Sequence, residues 1–202
     1  MPPRFVYFDL GKVLLDFDAD VMCRQMADVA GLDPDRVRQV LFEGRLQQQY
    51  ELGQISSRQF YETFCRETGT RPAYESLAAA ASDIFHLKED MVPVVTQLCG
   101  AGHRLGILSN TCESHWEHCR RQFPILSEAF GVFALSYQIG AMKPDSAIFL
   151  AAAARAGVAP QEVFFTDDAP GHVAGARAAG FDAAQYLSTP QLIAELCARG
   201  LQ

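Results

Sequence analysis

The stretch Phe5-Val6-Tyr7-Phe8-Asp9-Leu10-Gly11 decides the reading of this chain, because an unbroken apolar run stops abruptly at a carboxylate. A short apolar run of this kind, without alternation, fits a strand buried on both faces. Three further runs end in the same way. Leu105-Gly106-Ile107-Leu108 leads into Ser109-Asn110, Phe133-Ala134-Leu135 is followed beyond a turn by Lys143, and Val163-Phe164-Phe165 leads through Thr166 into Asp167-Asp168. In an open α/β sheet the ligand crevice lies outside the carboxyl ends of the strands, so residues just past four strands can converge. Carboxylates, a hydroxyl, an amide and one ammonium group would then meet. That set suits a phosphate and a divalent cation.

Between the first run and the others the rhythm is helical. Asp18 or Asp20 can cap a helix carrying Val21, Met22, Met26, Val29 and Ala30, which Gly31 ends, and Asp33-Pro34 opens another through Val37, Val40 and Leu41. Ser56 or Ser57 opens a third with Phe60 and Phe64 one turn apart, stopped by Gly69, and a fourth runs through Leu77, Ala80 and Ile84. These stripes predict a small helical bundle over 16–85, inserted into a sheet domain made of 1–15 and 86–202. After Phe85, helices of about ten residues alternate with strands: near 104–108, 132–136, 163–166 and 183–187 for the strands, and from Met91, Glu113, Asp145, Gly171 and Pro190 for the helices. The fold class is therefore α/β, a Rossmann-like parallel sheet with helices on both faces, carrying an inserted helical-bundle cap.

The balance of 17 Lys and Arg against 24 Asp and Glu, with no basic run, argues against nucleic acid as a partner. An anionic substrate would depend on local cations rather than on the overall field. No apolar run approaches the ~18 residues needed to cross a bilayer, and the start lacks the long apolar stretch of a secretory signal. Six scattered cysteines with no Cys-x-x-Cys predict a reduced, cytoplasmic protein without a membrane partner. Cys112 and Cys119, beside His115 and His118, do not have the spacing of a zinc site and are better read as small buried side chains beside surface histidines.

Taken together and in this order, Phe8-Asp9-Leu10-Gly11-Lys12-Val13, Leu108-Ser109-Asn110-Thr111, Met142-Lys143-Pro144-Asp145 and Phe165-Thr166-Asp167-Asp168 resemble the haloacid dehalogenase-like hydrolase superfamily with a small helical cap. The Asp-Leu-Gly form of the first motif is most similar to the α-D-glucose-1-phosphate phosphatase branch. The resemblance implies an Mg²⁺-dependent phosphatase acting on a small phosphorylated metabolite, a sugar phosphate such as glucose 1-phosphate, through an aspartyl phosphate. It makes Asp9 the nucleophile, Lys143 the cation serving both nucleophile and phosphate, and Ser109 and Asn110 the holders of the phosphate oxygens. It places the metal on Asp9, the backbone carbonyl of Gly11 and Asp168, with Asp167 in support. His172 falls where the family commonly has Asn or Asp.

Gly11 is the main departure, since many relatives carry there a second Asp that serves as acid and base. Glycine does neither, which leaves Asp16, Asp18, a cap residue or an acidic leaving group as alternatives. Glu43-Gly44-Arg45 and Gln47-Gln48-Gln49 lie where a cap could offer hydrogen bonds to sugar hydroxyls, and read equally as a solvated helix end. Two other functions fit parts of the pattern. A 2-haloacid dehalogenase needs neither metal nor acid, and a catalytically inactive phosphate-binding module would explain the missing carboxylate.

Overall fold

The computed structural model describes residues 3–201. Its centre is a sheet of five parallel strands in the order β5-β4-β1-β6-β7: β1 (Phe5–Phe8), β4 (Leu105–Ser109), β5 (Val132–Leu135), β6 (Val163–Asp167) and β7 (Asp182–Gln185). A second, two-stranded sheet pairs β2 (Leu15–Phe17) with β3 (Phe85–Leu87) antiparallel, Asp16 opposite His86. The insert between them holds α1 (Ala19–Ala30), α2 (Pro34–Arg38), α3 (Leu46–Glu51), α4 (Ser57–Thr68) and α5 (Tyr74–Ser82). The rest of the chain supplies α6 (Val92–Gly100), α7 (Glu113–Gln122), α8 (Ile125–Glu128), α9 (Ser136–Ile139), α10 (Ser146–Ala156), α11 (Pro170–Ala178) and α12 (Thr189–Ala198).

Strand β1 shows why the sheet must be covered on both faces. Its side chains alternate across the pleat, so Phe5 and Tyr7 pack with Ile148, Phe149 and Ala152 of α10, and Val6 and Phe8 join the apolar cluster on the other face. Tyr7 keeps its hydroxyl satisfied by donating to Ala152 O at 2.9 Å. Because β1 is flanked by β4 and β6, which the chain reaches by crossovers in opposite directions, the sheet changes winding direction beside it. A crevice at the carboxyl end of β1 follows from that topology.

The expected sheet and helical faces are present, and the differences have local causes. The insert contains a helix that periodicity did not indicate. In α3, Leu46, Gln47 and Tyr50 are buried while Gln48 and Gln49 are exposed, so a polar sequence hides a one-sided helix. A π-helical turn over Gln39–Glu43 precedes it. The helix expected to run through Ile84 ends at Ser82, and Ile84 leads into β3. Strands β2 and β3, three residues each, are too short to show a period.

The caps follow the sequence. Asp18, rather than Asp20, caps α1 by accepting from Asp20 N, and Gly31 ends that helix in the left-handed region. Ser56 forms a capping box with Gln59 on α4. No helix among the described residues is long and apolar enough to cross a membrane.

Candidate active site

Asp9 follows β1 directly, and its N–H donates to Thr166 O at 2.9 Å, extending the ladder to β6 by one step. That bond sets the carboxyl at the sheet edge. Oδ1 accepts from Leu10 N at 2.7 Å and lies 2.9 Å from Lys143 Nζ. Oδ2 has no hydrogen-bond partner among the described residues. Lys143 is nearly fully buried, at 3% exposure, and its ammonium group also donates to Asp167 Oδ2 at 2.6 Å and to Leu108 O at 3.0 Å. Two hydrogen bonds, to Asp167 and Leu108, and the ion pair with Asp9 hold the ammonium group in place.

Asp167, the last residue of β6, has no exposed surface. Besides Lys143 it accepts from Ala169 N at 2.8 Å, and His172 Nδ1 stands 3.0 Å from its Oδ1. Burial alone would raise its pKa, but His172 and Lys143 outweigh burial and hold the carboxyl down at about 2. For Asp9 the balance goes the other way: burial pushes its pKa up despite Lys143. One ammonium group thus serves two carboxylates, at 2.6 Å from Asp167 and 2.9 Å from Asp9, and His172 adds a further partner to Asp167 alone.

Asp168 is half-buried, and its carboxylate forms no hydrogen bond to another residue among those described; its backbone carbonyl accepts from Gln185 Nε2. Burial first, and the neighbouring Asp167 second, raise its pKa. Asp9, Asp167 and His172 are the donors clustered most closely. Lys143 already occupies the space between Asp9 and Asp167, however, and Asp167 is neutralised. Asp9 Oδ2 and the Asp168 carboxylate are oxygen donors without a partner among the described residues, and Asp168 lies outside that closest cluster. An all-oxygen set of this kind fits Mg²⁺.

Ser109 ends β4 and is buried, its hydroxyl making only a long 3.4 Å contact with Asn110 O. Asn110 has a task that the sequence did not indicate. Its Oδ1 accepts from Lys143 N at 2.8 Å and its Nδ2 donates to Lys143 O at 3.0 Å. The amide thus clamps the backbone that carries the ammonium group. Gly175 of α11 serves the same segment by close approach: a Cβ there would lie 2.6 Å from Pro144 O.

Gly11 sits beside a ring. A Cβ at this position would meet Phe17 Cε1 at 2.7 Å, and since Gly11 is not in the left-handed region, a side chain there requires the Phe17 ring to move rather than a change of backbone conformation. Asp16 and Asp18, offered by the sequence as replacement acids, are not gathered into the site. Asp16 is exposed on β2, 3.7 Å from Lys88 Nζ, and Asp18 is used as a helix cap.

All six cysteines are unpaired. Cys112 and Cys119 are buried, with burial pushing both thiols up to about 12, and neither joins a metal-ligating cluster among the described residues. His115 corrects the expectation of a surface histidine, being buried with Nε2 3.0 Å from Ala81 O.

A doubly wound sheet with a helical insert, and a lysine locked between two carboxylates at the sheet's carboxyl edge, define a class of α/β hydrolase. The chain belongs to the haloacid dehalogenase-like hydrolase family, whose model matches residues 4–180. Among solved structures it is similar to a haloacid dehalogenase family enzyme from Bacteroides thetaiotaomicron crystallised with magnesium and inorganic phosphate: TM-score 0.82, 22% identity, covering 91% of this chain and 93% of that one. A predicted HAD-like hydrolase from Porphyromonas gingivalis is also similar, at TM-score 0.81 and 26% identity, covering 97% and 98%. A curated relative, glyceraldehyde 3-phosphate phosphatase from Methanopyrus kandleri, is 31% identical over 147 residues. That match takes in 69% of this chain and 62% of the relative.

Proposed function

We propose that this hydrolase is an Mg²⁺-dependent phosphatase of small phosphorylated metabolites, with Asp9 as nucleophile. The observation that carries this reading is the unpartnered Oδ2 of Asp9 beside Lys143, whose ammonium group Asp167 and Leu108 O hold at the strand ends. A carboxylate whose other oxygen is held by Leu10 N and Lys143 can attack phosphorus in line with the leaving oxygen. The P–O ester bond breaks as the acyl phosphate forms, and the leaving oxygen takes up a proton. Water then cleaves the acyl phosphate and regenerates Asp9. Lys143 and the Ser109 hydroxyl offset the charge on the non-transferring oxygens.

Asp9, Asp168 and the Gly11 carbonyl would hold Mg²⁺, which when bound neutralises developing charge and orients the phosphoryl group. Asp167 and His172 keep Lys143 in place, and residues 16–85 act as the cap that excludes water. The substrate in this reading is a sugar phosphate. Glucose 1-phosphate is favoured by the motif pattern, and glyceraldehyde 3-phosphate is suggested by the relative.

Phosphate release from both esters, with Mg²⁺ and after chelation, tests the reading. Asp9→Asn keeps the shape but removes the nucleophilic anion, so turnover should fall at least 10³-fold while the unfolding midpoint changes little. Wild-type-like release by that variant would remove the aspartyl-phosphate mechanism.

A further inference from the structure

The catalytic cluster explains the phosphate half of a substrate and leaves the organic half without a partner. Gly11, Ser109 and Asn110 on the core side, with Phe42, Gln47 and Glu51 of the insert and His115 of α7, border one cavity of about 90 Å³. It opens toward solvent, so it admits a small organic group beside the phosphate. Helix α3 is anchored at this cavity by the core, because Ser136 Oγ donates to Glu51 O at 2.6 Å and Ser114 N donates to Tyr50 Oη at 3.1 Å. Glu51 is therefore held at a fixed height above the sheet edge.

Its carboxyl is an unusual group to place there. Oε1 accepts from Gln47 Nε2 at 2.8 Å, and Oε2 has no hydrogen-bond partner among the described residues. No lysine or arginine among those residues pairs with it. Glu51 is also the last residue of α3, where the carbonyls of a helix end disfavour an anion. The groups facing it are the Gln47 amide, the buried Cys112 thiol and His115. His115 Nε2 points at Ala81 O, and a carbonyl only accepts, so Nε2 carries the proton and Nδ1 of the neutral ring presents a lone pair.

Burial raises the pKa of Glu51 against the pull of Gln47 and His115, and lowers that of His115. Glu51, Gln47 and His115 are thus a few polar groups set among apolar ones, Phe17, Met22, Phe42 and Phe85. Such a lining matches hydroxyl groups better than a second anion.

We propose that Glu51, steadied by Gln47, is a specificity-determining residue that hydrogen-bonds a hydroxyl on the organic half of the phosphate ester, while His115 Nδ1 accepts from a second hydroxyl. The inference rests on the phosphatase reading above and adds the substrate class, an ester whose organic half carries hydroxyl groups.

Glycerol 1-phosphate and propyl phosphate test it, since they share chain length and differ in their hydroxyls. With Mg²⁺, the wild type should prefer glycerol 1-phosphate in kcat/KM. Glu51→Leu should lose about tenfold of that preference, chiefly through KM, because a site built for a hydroxyl discriminates by leaving its partner unpaired. Glu51→Gln, which keeps a donor and an acceptor, should retain most of it. No wild-type preference, or an equal loss on both esters in Glu51→Leu, would overturn the assignment and leave the phosphatase reading intact.

A second arm measures binding of the two esters by calorimetry to Asp9→Asn with Mg²⁺, with and without Glu51→Leu. A binding preference that depends on Glu51, in a protein whose wild type releases phosphate from none of these esters nor from glucose 1-phosphate or glyceraldehyde 3-phosphate, would support the assignment and remove the phosphatase reading instead.

Discussion

At the scale of single residues, the site turns on which carboxylate is already neutralised. Asp167 receives Lys143, His172 and Ala169 N, so its charge is accounted for within the protein. Asp168, one residue on, has no such partners and is the open oxygen donor. Asp168→Ala should therefore abolish the response of activity to Mg²⁺, whereas His172→Ala should lower kcat about tenfold and preserve that response. A Mg²⁺ titration of phosphate release in both variants checks this, and the reverse ranking would make His172 the ligand.

Gly11 permits a second prediction at this scale. Without a carboxylate there, esters of acidic hydroxyls need less proton transfer as the bond breaks, so sugar 1-phosphates should be cleaved with higher kcat/KM than the matching 6-phosphates. Gly11→Asp alone should not close the gap, because the Phe17 ring occupies the space of the new side chain. Gly11→Asp combined with Phe17→Ala should narrow it. Equal rates on the paired substrates in the wild type would show that another group already supplies the proton.

At the scale of elements, the place of Lys143 depends on two contacts from neighbouring elements. The Asn110 amide at the end of β4 clamps both backbone atoms of Lys143, and α11 presses against Pro144 where Gly175 has no side chain. Gly175→Ala introduces a methyl group 2.6 Å from a carbonyl oxygen. Overpacking of this kind costs about 1–3 kcal/mol, and displacement of Pro144 should carry Lys143 away from Asp9. We expect a lower urea midpoint together with a kcat loss of at least tenfold. A variant with lower stability but unchanged kcat would show that α11 does not position the lysine.

At the scale of the whole molecule, the insert and the core bring half-buried Glu51 and buried His115 to one cavity, and their effect on stability has a definite sign. Burial raises Glu51 above its ordinary 4.5, so the folded protein binds a proton more readily than the unfolded chain. The stability linked to Glu51 is then fully present below pH 4.5 and is lost as pH rises through the folded value. His115 is lowered from 6.5, so its contribution is present above pH 6.5 and is lost as pH falls. Denaturation by urea across pH 5 to 8 should show Glu51→Gln gaining stability over the wild type as pH rises. A difference independent of pH would mean that Glu51 is already ionised in the folded protein.

The strands, most helices of the insert and the residues at the strand ends were legible in the sequence, because burial on two faces imposes unbroken apolar runs and burial on one face imposes a helical period. Phe5–Phe8 needs no partner to be recognised as a buried strand, and Asp9 needs only to follow it. The short strands β2 and β3 and the polar helix α3 carried no comparable signal, since three residues show no period and Gln47, Gln48 and Gln49 look alike until packing buries one of them. The division of labour within the site was likewise settled only by tertiary structure. Asn110 clamps Lys143 across 33 positions of sequence, Phe17 fills the space above Gly11, and Glu51 meets His115 across an interface between insert and core. A sequence records which groups are available near each strand end. Hydrogen bonds and charge pairs between distant segments decide which of those groups are already used, and only the folded chain brings such segments within reach.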